Sequence, residues 1–162
     1  MDADIRMNIK KAAVISPCGK YRYALWRIWD TRLSLVMFIG LNPSKADDNI
    51  DDPTIRRCIS FSRSWGYGGF SMGNLFALRT PHPHDLWKDN DPIGPGNDNW
   101  LVKLKAHAKI VVAAWGNNGA FQNRDHKVAG MFSDLYCLKI SAKGRPCHPL
   151  YVARDLKPVK FR

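Results

Sequence analysis

A chain of 162 residues fits one compact domain and leaves no room for a second full core. Its 25 lysines and arginines against 14 aspartates and glutamates give a net charge of +11, which favours a polyanionic partner because each neutralised phosphate releases condensed counterions. No apolar run approaches the roughly 20 residues that cross a bilayer, and Met1-Asp2-Ala3-Asp4 lacks the basic-then-apolar pattern of a signal peptide, so the expectation is a cytoplasmic monomer with no membrane partner.

Residues 1–18 show little periodicity and read as an N-terminal arm. Residues 21–29 alternate aromatic or apolar with basic or small side chains, Asp30-Thr31-Arg32 supplies a turn, and 33–39 reads as a buried strand. Together they predict a hairpin at one edge of a sheet. After Gly40-Leu41-Asn42-Pro43-Ser44 comes an acidic loop with Asp47, Asp48, Asp51 and Asp52. A helix is expected from Pro53, capped by Asp52, with Ile55, Cys58, Ile59, Ser62 and Trp65 on one face and Gly66, Gly68 and Gly69 ending it.

Residues 70–75 form the next predicted strand, followed by a long loop over 76–97 with one helical turn near 85–88. Loops of that length are commonly functional. Asn97 or Asp98 caps a helix running to His107, and 110–115 is a buried strand ending in Gly116-Asn117-Asn118-Gly119. A helix over 124–135, a strand over 136–140 and a closing segment 141–162, mostly loop, complete the chain. The order predicts an α/β fold: a three-layer α/β/α sandwich with a central mainly parallel sheet plus an N-terminal hairpin, one domain over 1–162.

In open α/β sheets ligands bind beyond the carboxyl ends of the strands. Asn42, Asn74, the Gly116–Gly119 turn and Arg145-Pro146-Cys147-His148-Pro149-Leu150-Tyr151 occupy those ends here. The four cysteines contain no CxxC pair, and Cys58 and Cys137 sit in apolar stretches that suit a core. His82-Pro83-His84 lacks a clear third ligand, and the adjacent Cys147 and His148 do not face each other as nucleophile and base. Neither metal nor cofactor is expected.

Three phrases carry a resemblance. Gly40-Leu41-Asn42-Pro43-Ser44, Gly73-Asn74-Leu75-Phe76 and Cys147-His148-Pro149-Leu150 resemble, in order, three motifs of the uracil-DNA glycosylase superfamily. Most of the chain is also similar to the family called domain of unknown function 1643, through phrases such as Asp52-Pro53-Thr54-Ile55-Arg56-Arg57-Cys58, Asp91-Pro92-Ile93-Gly94, Ala114-Trp115-Gly116 and His148-Pro149-Leu150-Tyr151. The glycosylase resemblance implies hydrolysis of the N-glycosidic bond of an altered or modified base in DNA. Asn42 would orient a water and His148 would donate to the departing base oxygen. Asn74 would read the base edge, Phe76 or Tyr151 would stack on the base, and Ser44, Lys143, Arg145 and Arg154 would hold phosphates. The efficient uracil enzymes carry an acidic residue where this chain has Asn42, so either catalysis is weaker or a carboxylate from Asp47, Asp48, Asp51 or Asp52 supplies the base. Asp52 is the alternative base, although a helix cap is its first reading. A non-catalytic nucleic-acid-binding module on the same fold, or a nucleotide N-glycosidase, are the other readings.

Overall fold

The computed structural model describes residues 9–162. Among these residues seven strands form one mixed sheet in the order β1-β2-β4-β3-β5-β6-β7. They are β1 (Lys10–Ile15), β2 (Arg22–Ile28), β3 (Leu35–Gly40), β4 (Gly69–Asn74), β5 (Ile110–Ala113), β6 (Tyr136–Cys137) and β7 (Val159–Lys160). β4, β3, β5 and β6 are parallel, and β2 and β7 run against them. β1 pairs antiparallel with β2, so it shares the direction of the central four. Three α-helices accompany the sheet among the described residues: α1 (Pro53–Ser64), α2 (Asn97–Ala106) and α3 (Arg124–Ala129).

Alternation along the central strands sorts the core into two clusters. Met37 and Ile39 of β3 join Val111 and Ala113 of β5, with Leu101 and Leu104 of α2 and Val128 and Ala129 of α3. Val36 and Phe38 join Val112, Phe70 and Met72, with Ile55, Cys58 and Phe61 of α1. Successive strand residues point to opposite faces, so the two clusters fall on the two faces of the sheet. Gly73 allows α2 to pack closely, because a Cβ there would lie 2.6 Å from Leu101 Cδ2.

α1 begins as its sequence dictates. The Asp52 side chain accepts a hydrogen bond from the Ile55 amide at 2.9 Å and Pro53 takes the first turn. It ends at Trp65, before Gly66 at φ +83°.

Several expectations are corrected. The hairpin joins β1 to β2, not β2 to β3, and β4 lies between the latter two. The arm expected over residues 1–18 therefore contains a strand; residues 1–8 of it lie outside the described residues. β2 is interior although it carries Arg22 and Arg27, both buried. Gly96 caps α2, while the Asn97 side chain turns inward. α3 stops at Ala129 and β6 at Cys137, both shorter than expected, and β7 emerges from the closing segment read as loop.

Candidate functional site

A cleft of about 690 Å³ opens at the carboxyl ends of β3 and β4 and beyond the end of β5. Asn42, Ser44, Asp52, Asn74, Asn117, Lys143, His148 and Tyr151 all line it, so four loops distant in sequence converge on one hollow. The parallel register of β3 and β4, which sets Gly40 opposite Asn74, brings the first two together. A Cβ on Gly40 would lie 2.7 Å from Asn74 Oδ1; only glycine leaves room for that amide.

Asn74 is 3% exposed, and its Nδ2 has no hydrogen-bond partner among the described residues. A buried amide N–H₂ left unsatisfied is costly, so an acceptor from a ligand would stabilise it. The strand end is held from behind: Asn97 Nδ2 donates to the carbonyls of Asn74 and Leu75 at 3.0 and 3.1 Å, and Arg124 Nε donates to Leu75 O at 3.0 Å. Asn42 is committed differently. Its Nδ2 donates to Pro43 O at 3.0 Å and to Thr80 O at 2.8 Å, clipping the 76–97 loop to the end of β3. No donor among the described residues reaches its Oδ1.

His148 Nδ1 accepts the Leu150 backbone N–H at 3.2 Å, which assigns the ring proton of the neutral form to Nε2. Burial lowers its pKa and the Asp52 carboxylate opposes that shift only partly, so the ring is neutral at pH 7 with Nε2–H as a donor. Tyr151, 83% exposed, stands at the rim with its ring 5.5 Å from the His148 ring.

A family model described as "Protein of unknown function (DUF1643)" matches residues 22–150, about four-fifths of the chain. The chain belongs to the DUF1643 family. No curated protein and no solved structure matches it.

The DUF1643 chain does not bring every predicted residue to its cleft. Phe76 is 0% exposed, buried among core side chains with its ring 5.8 Å from Phe121, so it cannot stack on a ligand. Arg145 hydrogen-bonds through Nη1 to Asn117 O and lines a smaller neighbouring hollow of about 310 Å³. Arg154 is exposed and lines neither. The acidic loop is mostly structural: Asp51 pairs with Arg27 Nε at 2.7 Å, Asp47 accepts the amides of Asn49 and Ile50, and Asp52 alone of the four acids lines the cleft. No group of three or more His, Cys, Asp or Glu able to hold a metal occurs among the described residues, and none of their helices is long and apolar enough to cross a membrane.

Sequence reasoning missed Arg22, Asn97 and Arg124. Arg22, at the start of β2, lines the cleft while 3% exposed. The one sequence signal was its place in a strand that, apart from Arg27, is aromatic or apolar, where a charge needs a reason.

Proposed function

We propose that this DUF1643 protein is a metal-independent N-glycosylase on a uracil-DNA glycosylase-like three-layer α/β/α fold, acting on an altered or modified base in DNA. The reading is carried by one observation: Asn42, Asn74 and His148, separated in sequence by tens of residues, line the same cleft. Its volume, about 690 Å³, lies within the range of small-molecule sites and exceeds the needs of a base alone.

The chemistry follows from the atoms each residue offers. Breaking the N-glycosidic bond leaves positive charge on the sugar and negative charge on the departing base. Asn42 Oδ1 accepts from a water and holds it for the electrophilic sugar carbon. Asn74 Nδ2 donates to an acceptor on the base edge. His148 Nε2–H donates to the base oxygen as charge builds there, an interaction stronger in the transition state than in the ground state. Tyr151 offers an exposed ring to stack on a base drawn out of its strand, and Ser44 and Lys143 lie where flanking phosphates would pass.

A second reading, a binding module without chemistry, is favoured by the state of the would-be bases. The Asn42 amide clips a loop, and Asp52 caps α1. The deciding experiment incubates the protein with DNA carrying a panel of altered bases, then cleaves abasic sites with alkali. Wild type should nick at one base, and Asn42→Ala and His148→Ala should each lower the rate about 10²–10³-fold, the usual worth of one group of this kind. Tight binding without nicks on any base favours the module.

A further inference from the structure

Among the described residues three arginines are buried to 3% exposure or less: Arg22, Arg27 and Arg124. Two have a carboxylate. Arg27 Nε lies 2.7 Å from Asp51 Oδ1, and Arg124 Nη2 lies 2.8 Å from Asp98 Oδ1. Arg22 has no ion pair among the described residues. Its Nη1 donates to Ala46 O at 2.8 Å, its buried Nε has no partner, and of the three it alone lines the cleft. Asp52, the acidic residue lining the same cleft, favours the Arg22 charge from a distance but spends Oδ1 on the Ile55 amide. Burial pushes the guanidinium down to about 10, still protonated at pH 7. A buried charge is ordinarily paired, and this one borders the cleft with no ion pair among the described residues.

We infer that Arg22 is the seat of a phosphate monoester, the terminal phosphate of a free nucleotide or of a strand end. A guanidinium matches phosphate oxygens with two parallel N–H donors, and Arg22 retains unused N–H groups for that purpose. Two further donors face the cleft, Asn74 Nδ2 without a partner among the described residues and His148 Nε2–H, beside the acceptors Asn42 Oδ1 and the Asp52 carboxylate. The guanidinium and these two donors suit a ligand that presents oxygen acceptors. An internal phosphodiester is tied to the chain on both sides and would have to carry two strand segments down to a buried side chain. A terminal phosphate enters alone. The inference rests on the nucleotide-binding half of the reading above and not on bond cleavage.

Calorimetry at fixed ionic strength tests it, with orthophosphate, deoxyuridine 5′-monophosphate, deoxyuridine, and one single strand with either a 5′-phosphate or a 5′-hydroxyl. The monophosphate should bind at least tenfold tighter than the nucleoside, and orthophosphate should compete with it. Arg22→Gln should erase that preference, and Arg22→Lys should restore part of it. Removing a buried charge can unfold a protein, so a second readout uses the wild type: the Arg22 Nε–H resonance should move with orthophosphate and saturate at the calorimetric affinity. A phosphorylated strand binding as tightly as the mononucleotide identifies a strand end; its failure to do so identifies a free nucleotide. Equal affinity for nucleoside and nucleotide, or phosphate binding that leaves the Arg22 resonance unmoved, overturns the seat. The glycosylase reading fails separately, if the monophosphate binds through Arg22 and no base is released from any substrate.

Discussion

His148 joins two properties that can be measured together. Its lowered pKa means that the folded protein binds the ring proton less readily than the unfolded chain does. The unfolded state therefore takes up more protons as pH falls, and stability rises with pH through this group. The contribution is complete above the unfolded value of 6.5 and is lost progressively below it. Protonation also removes the acceptor for the Leu150 amide. Melting temperature should fall more steeply between pH 7 and pH 5 in wild type than in His148→Gln, since all other titrating groups are common to both; parallel curves would contradict the burial argument. Gly40 gives a second residue-scale prediction. In Gly40→Ala the new methyl forces the Asn74 amide aside. The stability cost should be about 1–3 kcal/mol, as for other overpacked sites. Ligand affinity should drop well beyond what unfolding explains, and unchanged affinity would remove Asn74 from recognition.

Elements announced themselves where burial and spacing agree. β3 and α1 were legible because a continuous apolar run and an Asp52-Pro53 start have few other solutions. β1 and β7 were not: β1 carries exposed Lys10 and Lys11 at the sheet edge, and β7 has only two residues, so neither shows alternation. β2 was placed at the edge for the opposite reason, since its arginines imitate a solvent face, yet Arg27 reaches the acidic loop and Arg22 the cleft. The candidate site followed the same rule. Asn42 and Asn74 lie at or just past the ends of β3 and β4, and His148 lies on the segment that follows β6, and all three line one cleft; Phe76, two residues past the end of β4, is drawn into the core. Asp52 is the element-scale test. Asparagine caps a helix as well as aspartate does, whereas alanine loses about 1 kcal/mol. Asp52→Asn should therefore keep both the melting temperature and the activity, while Asp52→Ala lowers the melting temperature. Activity lost in the asparagine variant at unchanged stability would make Asp52 the base.

At the scale of the whole molecule the net charge of +11 overstates what a ligand meets. Arg27 and Arg124 are buried and neutralised by Asp51 and Asp98, and Lys20 and Lys160 lie against Asp89 and Asp134. Of the cations, Arg22 and Lys143 line the cleft and have no ion pair among the described residues, with the Asp52 carboxylate beside them. A chain held by one terminal phosphate and a few rim contacts should show a graded salt response. The logarithm of affinity should fall with the logarithm of salt at a slope of about −0.7 per phosphate engaged on a single strand. A mononucleotide should therefore give a shallow slope, and a 5′-phosphorylated single strand one steeper by about 0.7 for each further phosphate contacted. Lys143→Ala should reduce the strand's slope by about 0.7 and leave the mononucleotide's unchanged. Identical slopes for the two ligands would confine all contact to the cleft, because no phosphate beyond the first would then be displacing counterions from the strand.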